Sequence, residues 1–141
     1  MVRVAINGFG RIGRRVFRIL LEHPSIKVVA INDLSDIKTL AHLTKYDSIH
    51  GTLKKAVSCD SEHLIIEDLN VPVLNTPHPK DLNWKPFDVD IVIESTGKFK
   101  TKSESIHHIN NGTSKVILSV PPTDETIKTI VLAINDNLLQ K

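Results

Sequence analysis

Cysteine is nearly absent from this chain. The single Cys59 among 141 residues excludes an internal disulfide and a thiolate cluster for zinc. Long apolar runs are missing too: none approaches the roughly 18 residues that span a bilayer, and the N-terminus has no secretory pattern, so a cytoplasmic protein is expected. Charge of one sign is also lacking. Lys and Arg number 18 against 16 Asp and Glu, a net +2 that is too even to argue for nucleic acid or an anionic membrane. Four arginines do gather at Arg11, Arg14, Arg15 and Arg18; a solvated helix face or a subunit contact is the expected role, with a nucleic-acid stripe as the outside alternative. The seven His are scattered, and the adjacent pair His107-His108 on an expected helix points two ways, so no metal site is expected. There is no internal repeat and no low-complexity stretch. With 40% hydrophobic and 24% charged residues, the chain reads as one globular domain over 1–141.

What is present is concentrated at the start. Val2-Arg3-Val4-Ala5-Ile6 is short, β-branched and mostly apolar, which predicts a buried strand. Gly8, Gly10 and Gly13 follow in G-x-G-x-x-G spacing. That spacing serves a tight turn, close approach of backbone to a pyrophosphate, and close packing of helix on strand. A helix is predicted from Arg11 to His23, with Ile12, Val16, Ile19, Leu20 and His23 as its apolar stripe, widened by Phe17 and Leu21, and with Pro24 ending it. Ile26–Ile31 is a second buried strand that finishes in Asn32-Asp33. Asp33 follows Gly13 by 20 residues, where a nucleotide-binding βαβ unit places the acid that grips a ribose diol. A carboxylate there repels a 2′-phosphate, and Leu34-Ser35 offer no arginine to receive one. NAD is the cofactor this pattern favours.

Further along, Asp36 can cap a helix to Tyr46 that buries Ile37, Leu40, Ala41 and Thr44. Tyr46 to Gly51 reads as a loop. The pieces Val57–Cys59, Leu64–Ile66 and Val71–Leu74 are expected to be small antiparallel strands inserted after the first βαβ, outside its crossover pattern. Val89–Ile93 is a buried strand, Ser103 is the expected cap of a helix to Asn110, Lys115–Ser119 is another strand, and Ile130–Ile134 is a candidate for one more. The expected fold is a doubly wound, mostly parallel Rossmann-type α/β sheet with a small antiparallel insertion. Ligands bind such sheets outside the carboxyl ends of the strands. The Gly8–Gly13 turn, Asn32-Asp33, Ser95-Thr96-Gly97 and Ser119-Val120-Pro121 are all such ends, and they are expected to share one rim.

These residues resemble those of the phosphorylating glyceraldehyde-3-phosphate dehydrogenases. The matching stretches are Ile6 to Arg14, Ala30 to Asp33, Lys45 to Gly51, Glu94 to Phe99, and Lys115 to Ser119, in the family's order. Erythrose-4-phosphate dehydrogenase is a close relative, and a non-catalytic dinucleotide-binding module is the alternative from another class. The resemblance implies an enzyme that oxidises an aldehyde onto NAD and traps the acyl group with phosphate. It implies a cofactor site built from Asn7, Gly8, Phe9, Gly10, Arg11, Ile12, Asn32, Asp33, Ser95, Thr96, Gly97, Phe99 and Ser119. In that family the backbone at Arg11 and Ile12 meets the pyrophosphate, Asp33 the adenosine ribose, Thr96, Gly97 and Phe99 the adenine side, and Ser119 the nicotinamide half. Pro77 replaces a basic residue common beside the adenine, and Val120 an alanine. The resemblance also implies a catalytic domain of the same enzyme beyond this chain, carrying the nucleophilic cysteine in a Ser-Cys-Thr-Thr-Asn segment, and a homotetramer for the full-length protein. No catalytic residue is assigned within 1–141, and Cys59 is read as structural.

Overall fold

A computed structural model of the protein describes residues 1–139. Strand β1 (Val2–Asn7) leads through helix α1 (Arg11–Leu20) to β2 (Ile26–Asn32), which lies parallel beside it. Helix α2 (Ile37–Lys45) follows, then the antiparallel strands β3 (Val57–Cys59), β4 (His63–Ile66) and β5 (Leu69–Leu74). Two short 3-10 turns, Pro79–Asp81 and Lys85–Phe87, return the chain to β6 (Ile91–Glu94), and α3 (Lys102–Asn110) carries it to β7 (Lys115–Leu118). The seven strands form one sheet in the order β3-β4-β5-β2-β1-β6-β7. β5 pairs parallel with β2 as well as antiparallel with β4, so Val71–Leu74 belongs to the main sheet, and only β3 and β4 are the antiparallel addition. Strand order reverses between β1 and β6, and their carboxyl ends therefore bracket the crevice of a doubly wound sheet.

Side chains alternate between two cores. Ile6, Val28, Ile31 and Val71 join Phe17 of α1 and Leu40 and Ala41 of α2 on one face. Ala5, Val29, Ala30 and Val92 pack with Leu82, Trp84 and Val89 on the other. Consecutive residues Val29 and Ala30 share a face because β2 carries a bulge. Val4 is level with Val28, but Ala5 is level with Ala30 and Asn7 with Asn32.

Several sequence expectations are corrected. In α1 Gly13 and Phe17 are buried and Leu20 packs beside them, while Ile12 and Ile19 are 54% and 52% exposed. Gly13 sets the rotation: only an atomless face fits against the Gly8 carbonyl, so Ile12 and Ile19 are turned outward while Phe17, Leu20 and Leu21 of the expected stripe keep to the core. The helix proper ends at Leu20, and Leu21 to His23 unwind as a tighter turn before Pro24. Arg18 is not solvated. Its guanidinium lies in the interior and donates to the carbonyls of Thr44, Lys45 and Gly51 at 2.9–3.1 Å, which closes the carboxyl end of α2. Arg14 turns back to the Phe9 carbonyl at 2.9 Å, so no continuous basic stripe forms on α1.

Helix α3 is capped by Thr101, not Ser103. Thr101 accepts from the Glu104 N–H while Glu104 accepts from the Thr101 N–H, a reciprocal box that Ser103 has no glutamate to make. β6 starts at Ile91 because the Asp90 carboxylate and amide are both held by the Arg3 backbone. Ile130–Ile134 is not a strand. Asn135 closes it into a turn, accepting from Val131 N–H and donating to the Thr129 carbonyl, and Ala133 takes φ 64°. Among the described residues no helix is long and apolar enough to cross a membrane.

Candidate functional site

The carboxyl ends of β1, β2, β5 and β6 surround a cleft of about 220 Å³. Its floor starts with the turn after β1. Gly8 has φ 91°, and a Cβ on it would lie 2.5 Å from the Thr96 nitrogen, so only glycine lets β1 and β6 close together here. Gly13 backs the turn: a Cβ on it would overlap the Gly8 carbonyl oxygen and come within 3.0 Å of Ser95 Oγ. Gly10 differs from both, since a Cβ there would meet nothing within 4 Å. It lines the cleft at the N-cap of α1, where no side chain caps the helix and the first turn holds no acidic residue. The first-turn N–H groups and the positive end of the helix dipole are thus left to an external anion.

Asp33 closes the second side. Its Oδ2 accepts from the Phe9 N–H at 2.7 Å and its Oδ1 from the Ser35 N–H at 2.8 Å, which fixes the carboxylate beside the glycine turn. Each oxygen keeps a lone pair for an incoming donor. The Asn32 amide beneath it donates to Asn7 Oδ1 and to the Thr76 carbonyl, and accepts from the Thr76 N–H at 2.9 Å. The third wall is the turn after β6: Ser95 Oγ donates back to the Gly8 carbonyl, and Thr96 Oγ1 accepts from the Lys98 N–H. Burial pushes the Arg14 guanidinium below its ordinary value, against the opposing pull of Asp47 and Asp33.

Of the residues expected at a cofactor, Asn7, Gly8, Gly10, Asn32, Asp33, Ser95, Thr96 and Phe99 line this cleft together. Phe9 does not present its ring. That ring is buried against Phe17, with centroids 5.4 Å apart, and only its backbone N–H faces the site. Arg11 and Ile12 begin α1 as exposed residues, and Gly97 turns outside the lining with φ 70°. Ser119 stands apart from the cleft, in an apolar hollow of about 520 Å³ along β7. Its Oγ is buried and has no partner among the described residues.

Pro77, which the resemblance sets beside the adenine, does line the cleft, and Leu34, Thr76 and Lys98, none of them expected at a cofactor, join it there. Thr76 and Pro77 carry a signal in the sequence, because they end a strand; the end counts only once β5 is known to run parallel to β2. Beneath the lining, Glu94 and His108 are fully buried and hydrogen-bonded, and no apolar or charge pattern marks them.

Comparison with known proteins agrees with this geometry. The model of the glyceraldehyde 3-phosphate dehydrogenase NAD binding domain matches residues 2–102. Glyceraldehyde-3-phosphate dehydrogenase 1 of Bacillus cereus is 46% identical over 135 residues, which is 96% of this chain and 40% of the relative. The Geobacillus stearothermophilus enzyme is 48% identical over 136 residues, again 96% of this chain and 40% of the relative. The Thermotoga maritima enzyme is 48% identical over 142 residues, 99% of this chain and 42% of the relative. The chain therefore spans about two fifths of the length of the curated relatives it matches. With the family model covering the cleft and most of the sheet, the chain belongs to the glyceraldehyde 3-phosphate dehydrogenase NAD-binding domain family.

Proposed function

We propose that residues 1–141 bind NAD as the nucleotide domain of a phosphorylating glyceraldehyde-3-phosphate dehydrogenase, a cytoplasmic homotetramer whose catalytic cysteine and histidine lie in a further domain. The observation that carries this reading is the juxtaposition of two complementary features on one cleft. The uncapped start of α1 suits a diphosphate, and the Asp33 carboxylate, clamped by the Phe9 and Ser35 N–H groups, suits a ribose diol. A 2′-phosphate would meet that carboxylate at close range, which favours NAD over NADP. The turn through Ser95, Thr96 and Phe99 forms the wall toward the adenosine. Hydride transfer to NAD needs a hemithioacetal formed by a thiol on the aldehyde, and Cys59 does not supply that thiol. It lies on β3 at the sheet edge, with β4, β5 and β2 between it and β1.

Calorimetric titration tests the reading. NAD is expected to bind the chain, NADP at least tenfold more weakly, and Asp33→Ala is expected to weaken NAD about tenfold, on the order of one charge-assisted hydrogen bond pair. Equal binding of NADP overturns the role of Asp33. The 141-residue chain is expected to show no oxidation of glyceraldehyde 3-phosphate, and measurable turnover overturns the placing of the nucleophile elsewhere.

A further inference from the structure

Glu94 ends β6 as a fully buried carboxylate on which four donors converge. Oε1 accepts from the Thr96 N–H at 2.9 Å and from the Thr96 hydroxyl; Oε2 accepts from the Asn7 amide and from His108 Nε2 at 3.1 Å. A buried carboxylate without such donors would be heavily penalised. The sense of each bond is fixed from two ends by groups that cannot reverse. At one end the Trp84 Nε1–H only donates, so His108 Nδ1 accepts it at 3.0 Å, and the ring is neutral with its proton on Nε2, directed at Glu94. At the other end the Thr76 N–H only donates, so Asn32 must accept through Oδ1 and give its amide to Asn7, whose own amide is left for Glu94. The chain of bonds runs beneath the cleft and reaches its lining at the buried Asn7 and at the half-buried Thr96.

We propose that Glu94 is a positioning residue for the dinucleotide, an acceptor-only anchor that holds the Asn7 amide and the Thr96 turn at the spacing the cofactor needs. This rests on the reading of the cleft as an NAD site. Glu94→Gln is the direct test, because the glutamine amide must oppose either the Thr96 donors or the Asn7 and His108 donors. Its dissociation constant for NAD, measured by calorimetry on the chain below its melting transition, is expected to rise at least tenfold. Val71→Ala, in the core on the opposite face, is the control for stability alone: its melting temperature falls and its NAD affinity stays within twofold of the unmodified chain.

Glu94→Gln that melts lower yet binds NAD as the unmodified chain does would overturn the proposal. Should Glu94→Gln not fold, His108→Leu and His108→Gln decide. The leucine removes the donor to Glu94 and is expected to weaken NAD threefold or more, while the glutamine restores a donor and an acceptor and is expected to recover most of that loss. Equal affinity in both overturns the proposal. Failure of the unmodified chain to bind NAD would instead overturn the NAD reading of the cleft, and this inference with it.

Discussion

Replacing the three glycines of the first turn by alanine, one at a time, separates packing from ligand access. In mid-helix an alanine ordinarily gains about 1 kcal/mol over glycine. At Gly13 the new methyl would overlap the Gly8 carbonyl oxygen and lie 3.2 Å from Ile6 Cγ2, and neither neighbour is the free end of a flexible side chain. α1 must lift from β1, an overpacking that costs about 3 kcal/mol at the upper end of its range. The net loss is about 2 kcal/mol, or roughly 6 °C in melting temperature for a domain of this size. Gly8→Ala adds the strain of φ 91° to a contact of 2.5 Å with the Thr96 nitrogen and is expected to lose more.

Gly10→Ala meets open space at φ −72° and costs at most about 1 kcal/mol as a poorer cap, but under the proposed function its methyl would project where a diphosphate approaches the backbone. The melt should therefore hold within about 3 °C while NAD affinity falls on the order of tenfold. Scanning calorimetry and NAD titration on the three variants decide. A Gly13→Ala chain that melts at or above the unmodified one refutes the packing account, and a Gly10→Ala chain with unchanged affinity refutes the access account.

Two further outcomes follow from the turns and the buried arginine. Asp47 is held at about 2 by the His50 and Ile49 N–H groups, and Asp60 below its ordinary value by the Glu62 and His63 N–H groups. Because these folded-state values are depressed, their contribution is in force above about pH 4 and is lost as pH falls toward 2; melting curves from pH 7 to pH 2 should show a steep acid limb that Asp47→Asn flattens, and an unchanged limb would refute the assignment. Arg18→Ala leaves the Thr44, Lys45 and Gly51 carbonyls without their donor and is expected to cost about 3 kcal/mol in urea unfolding, with faster amide exchange over 46–53; a loss under about 1 kcal/mol would show that water replaces the guanidinium.

The start of the fold is legible in the sequence because its signals are local and agree. β-branched residues, three glycines, a helical period and a terminal acid lie within Val2 to Asp33 and need no knowledge of distant partners. The face of α1 was legible at Phe17, Leu20 and Leu21 but not at Ile12 and Ile19, because large apolar residues outweigh glycine in any count of hydrophobicity, whereas a steric limit at Gly13 decides the closest contact. The parallel pairing of β5 was hidden for a different reason: Leu69–Leu74 looks like a hairpin strand from within, and its second neighbour lies more than forty residues upstream, at Ile31 and Asn32. Glu94 ran against the general rule that carboxylates stay outside, and nothing short of its four donors reverses that expectation. Ile130–Ile134 shows the converse, where composition favours a strand and one Asn135 side chain closes a turn.

The extra residue in β2 is taken up locally. Val28 is level with Val4, Ala30 with Ala5 and Asn32 with Asn7, so the pairing resumes in step immediately after Val29, and both halves of the strand feed the two cores. Deleting Val29 would make the register continuous and still leave Ala30 level with Ala5 and Asn32 level with Asn7, each on its present face. The mouth of the sheet is thus insulated from what happens several residues inland: an added residue is absorbed where it enters, and the ligand-facing end of the strand never registers it.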